Sequence, residues 1–229
     1  MSADTWKFVR WTVTAVWVVA GGWLSHATVD QVRDEWMIPP TPPEVTHDLI
    51  VKNASDDSGK RASFRILLFS DEFRWRLNSF DTVEQNKSDQ PIFTPEMKRV
   101  LNTAKEIICI GASSEEIPAG VPFNQGRAQE ERRAARRAEQ IAVWVRQSLS
   151  SPIPVRKLNV GHHAPTKGSN DTSDQRRVVI ILVLDQDEGN NIDQSLRWAM
   201  TAEKGSAPVF DALLTSYSLS TGNKFTWVP

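Results

Sequence analysis

The longest uncharged stretch of the chain covers residues 11–29, and it is apolar all round, without a polar face. Its length of about 19 residues is close to the roughly 20 that a helix needs to cross the hydrocarbon core of a bilayer. Five of the nine tryptophans lie within the first 36 residues, and tryptophan favours the boundary between lipid and water. This pattern predicts one transmembrane helix over residues 11–29.

The charges on either side of this segment predict its orientation. Lys7 and Arg10 precede it, whereas acidic residues predominate directly after it. Because basic residues are retained on the cytoplasmic side, residues 1–10 are expected in the cytoplasm and the rest of the chain beyond the membrane. Two alternatives stay open. In the first, the segment is a cleaved signal peptide, because residues 25–27 (SHA) have the small-x-small form that a signal peptidase accepts. In the second, it is a buried helix of a soluble protein.

The pattern after this segment predicts a domain of mixed strands and helices. Four prolines among residues 39–43 enforce an extended spacer, so residues 30–43 are interpreted as a stalk. Strands are expected over residues 45–52, 64–69, 107–110, 157–160 and 177–184, and helices over residues 94–104, 127–149 and 192–202. This order predicts an α+β fold, a mixed-sheet α/β sandwich with helices on one face, over residues 44–190. Residues 191–229 are a C-terminal extension.

Composition narrows the class of partner. The 229 residues include 27 basic and 28 acidic side chains, which gives a formal charge of -1. Because no overall field draws such a chain onto a polyanion, no nucleic-acid partner is expected. The single cysteine, Cys109, lies in an apolar run and is interpreted as a buried core residue.

Several short motifs follow one another in order between Phe93 and Leu184. They are an apolar strand ending in glycine (IICIG, 107–111), a loop with Asn124, a helix with RRAEQI (136–141), KLNVG (157–161) followed by Pro165, and DQRRVVI (174–180). In order and spacing, these residues resemble the OmpA-like domain, the peptidoglycan-binding module of many bacterial envelope proteins. The resemblance covers about 90 residues and implies a periplasmic domain, here anchored in the bacterial inner membrane by a single pass.

The resemblance also implies which residues bind the ligand. In the family, an aspartate after the glycine-ended strand pairs with the ammonium of diaminopimelate, and a helix arginine grips its carboxylate. Arg137 matches this arginine, whereas the aspartate position of the G-x-x-D pattern holds Ser114. Glu115, or alternatively Glu116, is expected to supply the missing carboxylate. The other two predicted site residues are Asn124, which is expected to support the ligand from a loop, and Arg177, which is expected to support it from a strand.

Two functions are compatible with these features. The first is non-covalent binding of peptidoglycan by a membrane-anchored envelope protein. The alternative is a structural scaffold subunit of an inner-membrane or periplasmic complex, whose OmpA-like domain binds protein and has lost peptidoglycan binding. The serine at the aspartate position favours this alternative, and either function is compatible with an oligomer within a larger complex.

No residue pattern indicates an enzyme, a cofactor or a metal site. The chain has no G-x-S-x-G, Walker A or G-x-G-x-x-G motif. His162 and His163 are adjacent, so their side chains diverge, and no cysteine or glutamate follows at a ligand spacing. We therefore expect a binding protein that has no catalytic turnover, cofactor or metal.

Overall fold

The computed structural model describes residues 39–84, 93–116, 120–163, 172–202 and 226–227. Apart from Pro39 and Pro40, these residues belong to one unit that runs from Thr41 to Pro229. The predicted transmembrane helix and most of the predicted stalk lie outside the described residues. Within the described ranges, no helix is long and apolar enough to cross a bilayer.

In the described part of the chain, six strands form one mixed sheet in the order β1-β2-β5-β3-β4-β6. They are β1 (Val45–Ser55), β2 (Arg61–Phe69), β3 (Glu106–Ser113), β4 (Val155–His162), β5 (Val179–Gln186) and β6 (Thr226–Trp227). Strands β3 and β4 run parallel, and every other neighbouring pair is antiparallel. The predicted mixed sheet is confirmed. Strand β5 lies between β2 and β3, as expected for a strand that is apolar on both faces.

Three α-helices accompany these strands in the described residues: α1 (Pro95–Leu101), α2 (Phe123–Ser148) and α3 (Ile192–Ala202). Helix α1 begins as predicted, because the Thr94 side-chain oxygen accepts a hydrogen bond from the Met97 N–H at 3.2 Å. It ends short of the predicted residue 104. Helix α2 begins before the predicted residue 127, since the Pro122 carbonyl accepts a hydrogen bond from the Gly126 N–H at 2.9 Å and closes an earlier first turn.

The helices cover both faces of the sheet, so the prediction of helices on one face is wrong. Helices α1 and α2 bury their apolar residues on one face, whereas α3 packs on the opposite face over β1 and β2. The buried stripe of α3 consists of Ile192, Leu196, Ala199 and Met200. Because β5 is apolar on both faces, the second face also has to be covered, and residues 192–202 of the C-terminal extension cover it.

Candidate functional site

Four of the five predicted site residues lie around the end of the sheet at which the parallel strands β3 and β4 finish. The long helix α2 and the loop after β2 meet there. This loop, residues 71–84, is called the cap. It begins with a 3-10 helix (Asp71–Phe73) and closes on itself through an isolated antiparallel bridge between Trp75 and Val83.

Helix α2 approaches β3 closely because small residues face each other. Gly111 lies on the strand, and Ala134 and Ala138 lie opposite it on the helix. A larger residue at any of these positions would force the helix away from the sheet. The close approach brings Arg137, the neighbour of Ala138, to the end of β3.

Arg137 is fully buried, with 0% of its surface exposed. Its Nε atom donates a hydrogen bond to the main-chain carbonyl of Ser79 in the cap at 2.9 Å, and Nη1 donates to the carbonyl of Ala112 at 2.8 Å. The guanidinium also lies 5.6 Å from the centre of the Trp75 ring. Two carbonyls of the chain itself thus hold the group that the resemblance assigns to a ligand carboxylate.

Charged side chains fasten the cap to the 3-10 helix before β5 (Ser173–Arg176). Glu84 accepts a hydrogen bond from Nε of Arg74 at 2.8 Å and another from Nη1 of Arg176 at 3.3 Å. Nη1 of Arg176 also donates to the carbonyl of Trp75 at 2.7 Å. Glu84 with its two arginines is called the latch, because these bonds tie the end of the cap to the 3-10 helix.

Aromatic contacts fasten the cap to α2. Trp75 stacks on Trp144, with ring centres 5.3 Å apart and an angle of 20° between the planes. The Arg136 guanidinium lies 4.9 Å from the centre of the Phe80 ring. Trp75 is part of the hydrophobic core, whereas Leu77 is 52% exposed. The base of the cap is therefore core structure, and its tip is a surface feature.

Two other predicted site residues lie at the same end of the sheet. Ser114 directly follows β3 and is buried. Glu115 comes next, and its N–H donates a hydrogen bond to Oε1 of Gln175 at 2.9 Å. Its carboxylate accepts a hydrogen bond from Nε2 of the same glutamine at 3.3 Å. Glu115 thus contacts the 3-10 helix before β5.

The remaining two predicted residues are placed differently. Asn124 is exposed in the first turn of α2, and its separation from Arg137 along the helix axis is about 20 Å. The structure therefore does not bring Asn124 to Arg137. Nη2 of Arg177 lies 3.0 Å from Oδ1 of Asp71, the first residue of the cap. Arg177 thus contributes to holding the cap in place.

The sequence prediction missed one carboxylate of this site, that of Glu130 on α2. Glu130 is buried and forms an ion pair with Arg133. Burial raises the pKa of Glu130, the charges of Arg133 and Arg137 lower it, and the charge of Glu116 raises it. Glu130 thus interacts with the charges around Arg137. The signal is present in the sequence, because positions 130, 133 and 137 are separated by three and four residues and share one helix face.

Replacing Glu130 with glutamine is expected to change how stability depends on pH. Burial raises the pKa of the folded-state carboxyl above 4.5, so the folded protein binds this proton more tightly than the unfolded chain. The resulting stability is present at acid pH and is lost as the pH rises through the raised pKa. Urea unfolding near pH 4.5 and near neutrality should show that the wild type loses stability relative to the Glu130→Gln variant as the pH rises. An equal difference at both pH values would contradict a raised pKa.

His162 lies at the end of β4, and its Nδ1 atom is 3.6 Å from the carboxylate of Glu131. Burial, and then the charge of Arg127, lower the pKa of His162 and favour the neutral ring. Among the residues that the structure describes, no three His, Cys, Asp or Glu side chains come together as a metal site requires. Cys109 is a buried thiol in β3.

No family model and no curated protein matches the chain. Among the solved structures to which it is similar are two with low sequence identity. The first is the OmpA-like domain of FopA1 from Francisella tularensis subsp. tularensis SCHU S4, with 13% identity, a TM-score of 0.32, and coverage of 66% of this chain and 88% of that one. The second is the periplasmic domain of MotB, with 13% identity, a TM-score of 0.33, and coverage of 79% and 93%. TM-scores this low add nothing to a functional assignment, which depends on the geometry around Arg137.

Proposed function

We propose that this chain is a membrane-anchored protein of the bacterial envelope that binds peptidoglycan non-covalently and without catalysis. The anchor is the apolar segment over residues 11–29, and the binding domain begins near Thr41, on the periplasmic side. The ligand is the peptide stem, and its site is centred on Arg137 at the end of β3.

One observation carries this proposal: the guanidinium of Arg137 is held at the end of β3 by hydrogen bonds to the Ser79 and Ala112 carbonyls, and the buried carboxylate of Glu130 lies two turns earlier on the same face of α2. The charge of Arg137 lowers the pKa of Glu130, so the two groups interact electrostatically. A cation and an anion in a partly desolvated site complement a ligand that carries both an ammonium and a carboxylate. Diaminopimelate is such a ligand. In this proposal Glu130 replaces the carboxylate that is missing at Ser114.

A sacculus pull-down with the full-length protein in mild detergent tests this function. We expect purified sacculi to retain the wild type, and Arg137→Lys to lower the affinity by about tenfold or more. The reason is that lysine keeps the positive charge but cannot form bidentate hydrogen bonds to a carboxylate. Each hydrogen bond to a charged group contributes about 1.5–3 kcal/mol. Arg132→Lys, on an exposed position of the same helix, is the matched control and should bind like the wild type.

Circular dichroism must show that each variant is folded, because Arg137 is buried. If the folded Arg137→Lys variant is retained as well as the wild type, the site does not lie at Arg137. If neither protein is retained at low salt, the chain does not bind the wall.

The second candidate is a scaffold that binds another envelope protein. It is favoured by a specific observation, namely that the Ser79 carbonyl of the cap already bonds to Arg137, which is fully buried. The exposed Leu77 would then belong to a protein-docking surface. In that case sacculi would not retain the wild type, and Leu77→Asp would abolish a cross-linked complex in native membranes that Arg137→Lys leaves intact.

A further inference from the structure

The tip of the cap, residues 76–82, covers the binding group of the proposed site. Its Ser79 carbonyl lies 2.9 Å from Nε of Arg137, on one of the donors that would otherwise bond to a carboxylate. The guanidinium is 0% exposed, so no ligand reaches it while the tip stays in place. The tip therefore occupies part of the site.

The local structure of the tip fixes the position of this carbonyl. The Ser79 hydroxyl accepts hydrogen bonds from the N–H groups of Asp81 at 3.2 Å and Thr82 at 2.9 Å. The Ser79 N–H donates to the carbonyl of Arg76 at 3.0 Å. Asn78 has a φ of 60°, a left-handed conformation that asparagine tolerates better than most residues. These features build a turn that holds the carbonyl ready for Arg137.

Apart from the Ser79 bond to Arg137, the contacts around the tip involve side chains that are partly exposed. In the latch, the side chains of Arg74 and Glu84 are 26% and 33% exposed, and their ion pair contributes little because water screens it. The third member, Arg176, is buried, with 10% of its side chain exposed. The Phe80 contact with Arg136 involves an arginine on the exposed side of α2. By contrast, Trp75 and Val83 at the base are buried. The tip can therefore lift while the base stays packed.

We propose that the cap tip is an internal pseudo-ligand. The Ser79 carbonyl takes the place of a ligand carboxylate on Arg137, so the free protein is closed, and peptidoglycan binds only after the tip is displaced. This inference rests on the proposed function and adds its regulation. The apparent affinity of a closed protein is its intrinsic affinity multiplied by the small fraction of open molecules.

Shortening the cap tests this regulation. In the test variant, Asn-Gly replaces residues 77–81, so that a two-residue turn connects Arg76 and Thr82, whose N–H and carbonyl are already hydrogen-bonded at 3.0 Å. This change removes Ser79 and leaves the buried base intact. Sacculi should retain the full-length variant with an affinity about tenfold higher than that of the wild type, because every molecule is open. Adding Arg137→Lys should remove this gain.

A second variant loosens the cap without shortening it. Glu84→Gln removes the carboxylate charge of the latch, which pairs with the partly exposed Arg74 and with the buried Arg176, and a rise in affinity of about threefold is expected because the cap is then held less tightly. The matched control is Glu96→Gln, which loses an exposed ion pair with Arg99 on α1, away from the cap. This control should leave the affinity unchanged.

The outcomes separate the two claims. A gain in both opened variants that depends on Arg137 supports the pseudo-ligand. Equal retention of the wild type and of both folded variants overturns the pseudo-ligand and leaves wall binding in place. Absence of retention for the wild type and for both opened variants overturns wall binding, and the pseudo-ligand with it.

Discussion

Replacing Gly111 with alanine is expected to destabilise the folded protein by about 3 kcal/mol or more. A Cβ atom at this position would lie 2.0 Å from the carbonyl oxygen of Ala134, 2.6 Å from the main-chain nitrogen of Ala138 and 2.7 Å from its Cβ atom. Two of these atoms are helix backbone, which cannot move aside as a flexible side chain would. Helix α2 must therefore shift away from β3, and that shift also moves Arg137.

Urea unfolding measures this effect, and Gly59→Ala is its matched control. A Cβ atom at Gly59 meets nothing within 4 Å, but the φ of 83° strains any residue with a side chain. The control should therefore cost only about 1 kcal/mol. Equal losses in the two variants would show that the distance between α2 and β3 is not set by Gly111.

Removing the carboxylate of Asp48 is expected to cost about 3–5 kcal/mol, because it leaves a buried charge without its counterion. Arg65 on β2 is 0% exposed. Its Nε and Nη2 atoms donate hydrogen bonds to the two oxygens of Asp48 on β1, at 2.9 and 2.8 Å. Asp48→Ala removes both acceptors while the guanidinium stays inside the protein.

Thermal and urea unfolding measure this loss against two comparisons. Glu96→Ala breaks an exposed ion pair with Arg99 and should change stability by less than about 1 kcal/mol. The double variant Asp48→Leu with Arg65→Met should recover much of the loss, since apolar residues of similar volume can replace a buried ion pair. A single Asp48→Ala variant as stable as the wild type would mean that the pair is not buried in solution.

The sequence predicted the elements whose signals are local. Thr94 and Pro95 mark the start of α1 because the capping bond and the fixed proline φ act within one turn. The position of α3 was also predicted, but its side of the sheet was not. An apolar stripe shows that a helix face is buried, whereas both faces of β5 are apolar and give no preference between them.

The cap could not be predicted, because its buried residues follow no period. Phe73, Trp75 and Val83 are isolated apolar residues in a polar stretch, and their burial depends on contacts with α2 and with the core. The same reason explains the unexpected surroundings of Arg137. Its position on α2 was expected from the resemblance to OmpA-like domains, but its bond to Ser79 joins residues that are far apart in sequence.

The remaining site residues illustrate the same limit. Ser114 and Glu115 lie near the end of β3 because they follow that strand in sequence. Asn124 was expected at the ligand, but α2 begins before residue 127 and its length separates Asn124 from Arg137. Glu130 was missed although its helical spacing from Arg137 was visible. The spacing of residues along one helix can be recognised from the sequence. The residue at which a loop ends and the helix begins cannot be recognised in this way.

The affinity for two synthetic stem peptides, measured by calorimetry with the full-length protein, tests the central claim most directly. One peptide carries diaminopimelate and the other carries lysine, which lacks only the side-chain carboxylate that Arg137 is proposed to grip. A bidentate bond to arginine predicts that the diaminopimelate peptide binds about tenfold more tightly, and that Arg137→Lys removes the difference. Equal affinities for the two peptides, or binding of neither, would contradict a peptidoglycan site at Arg137.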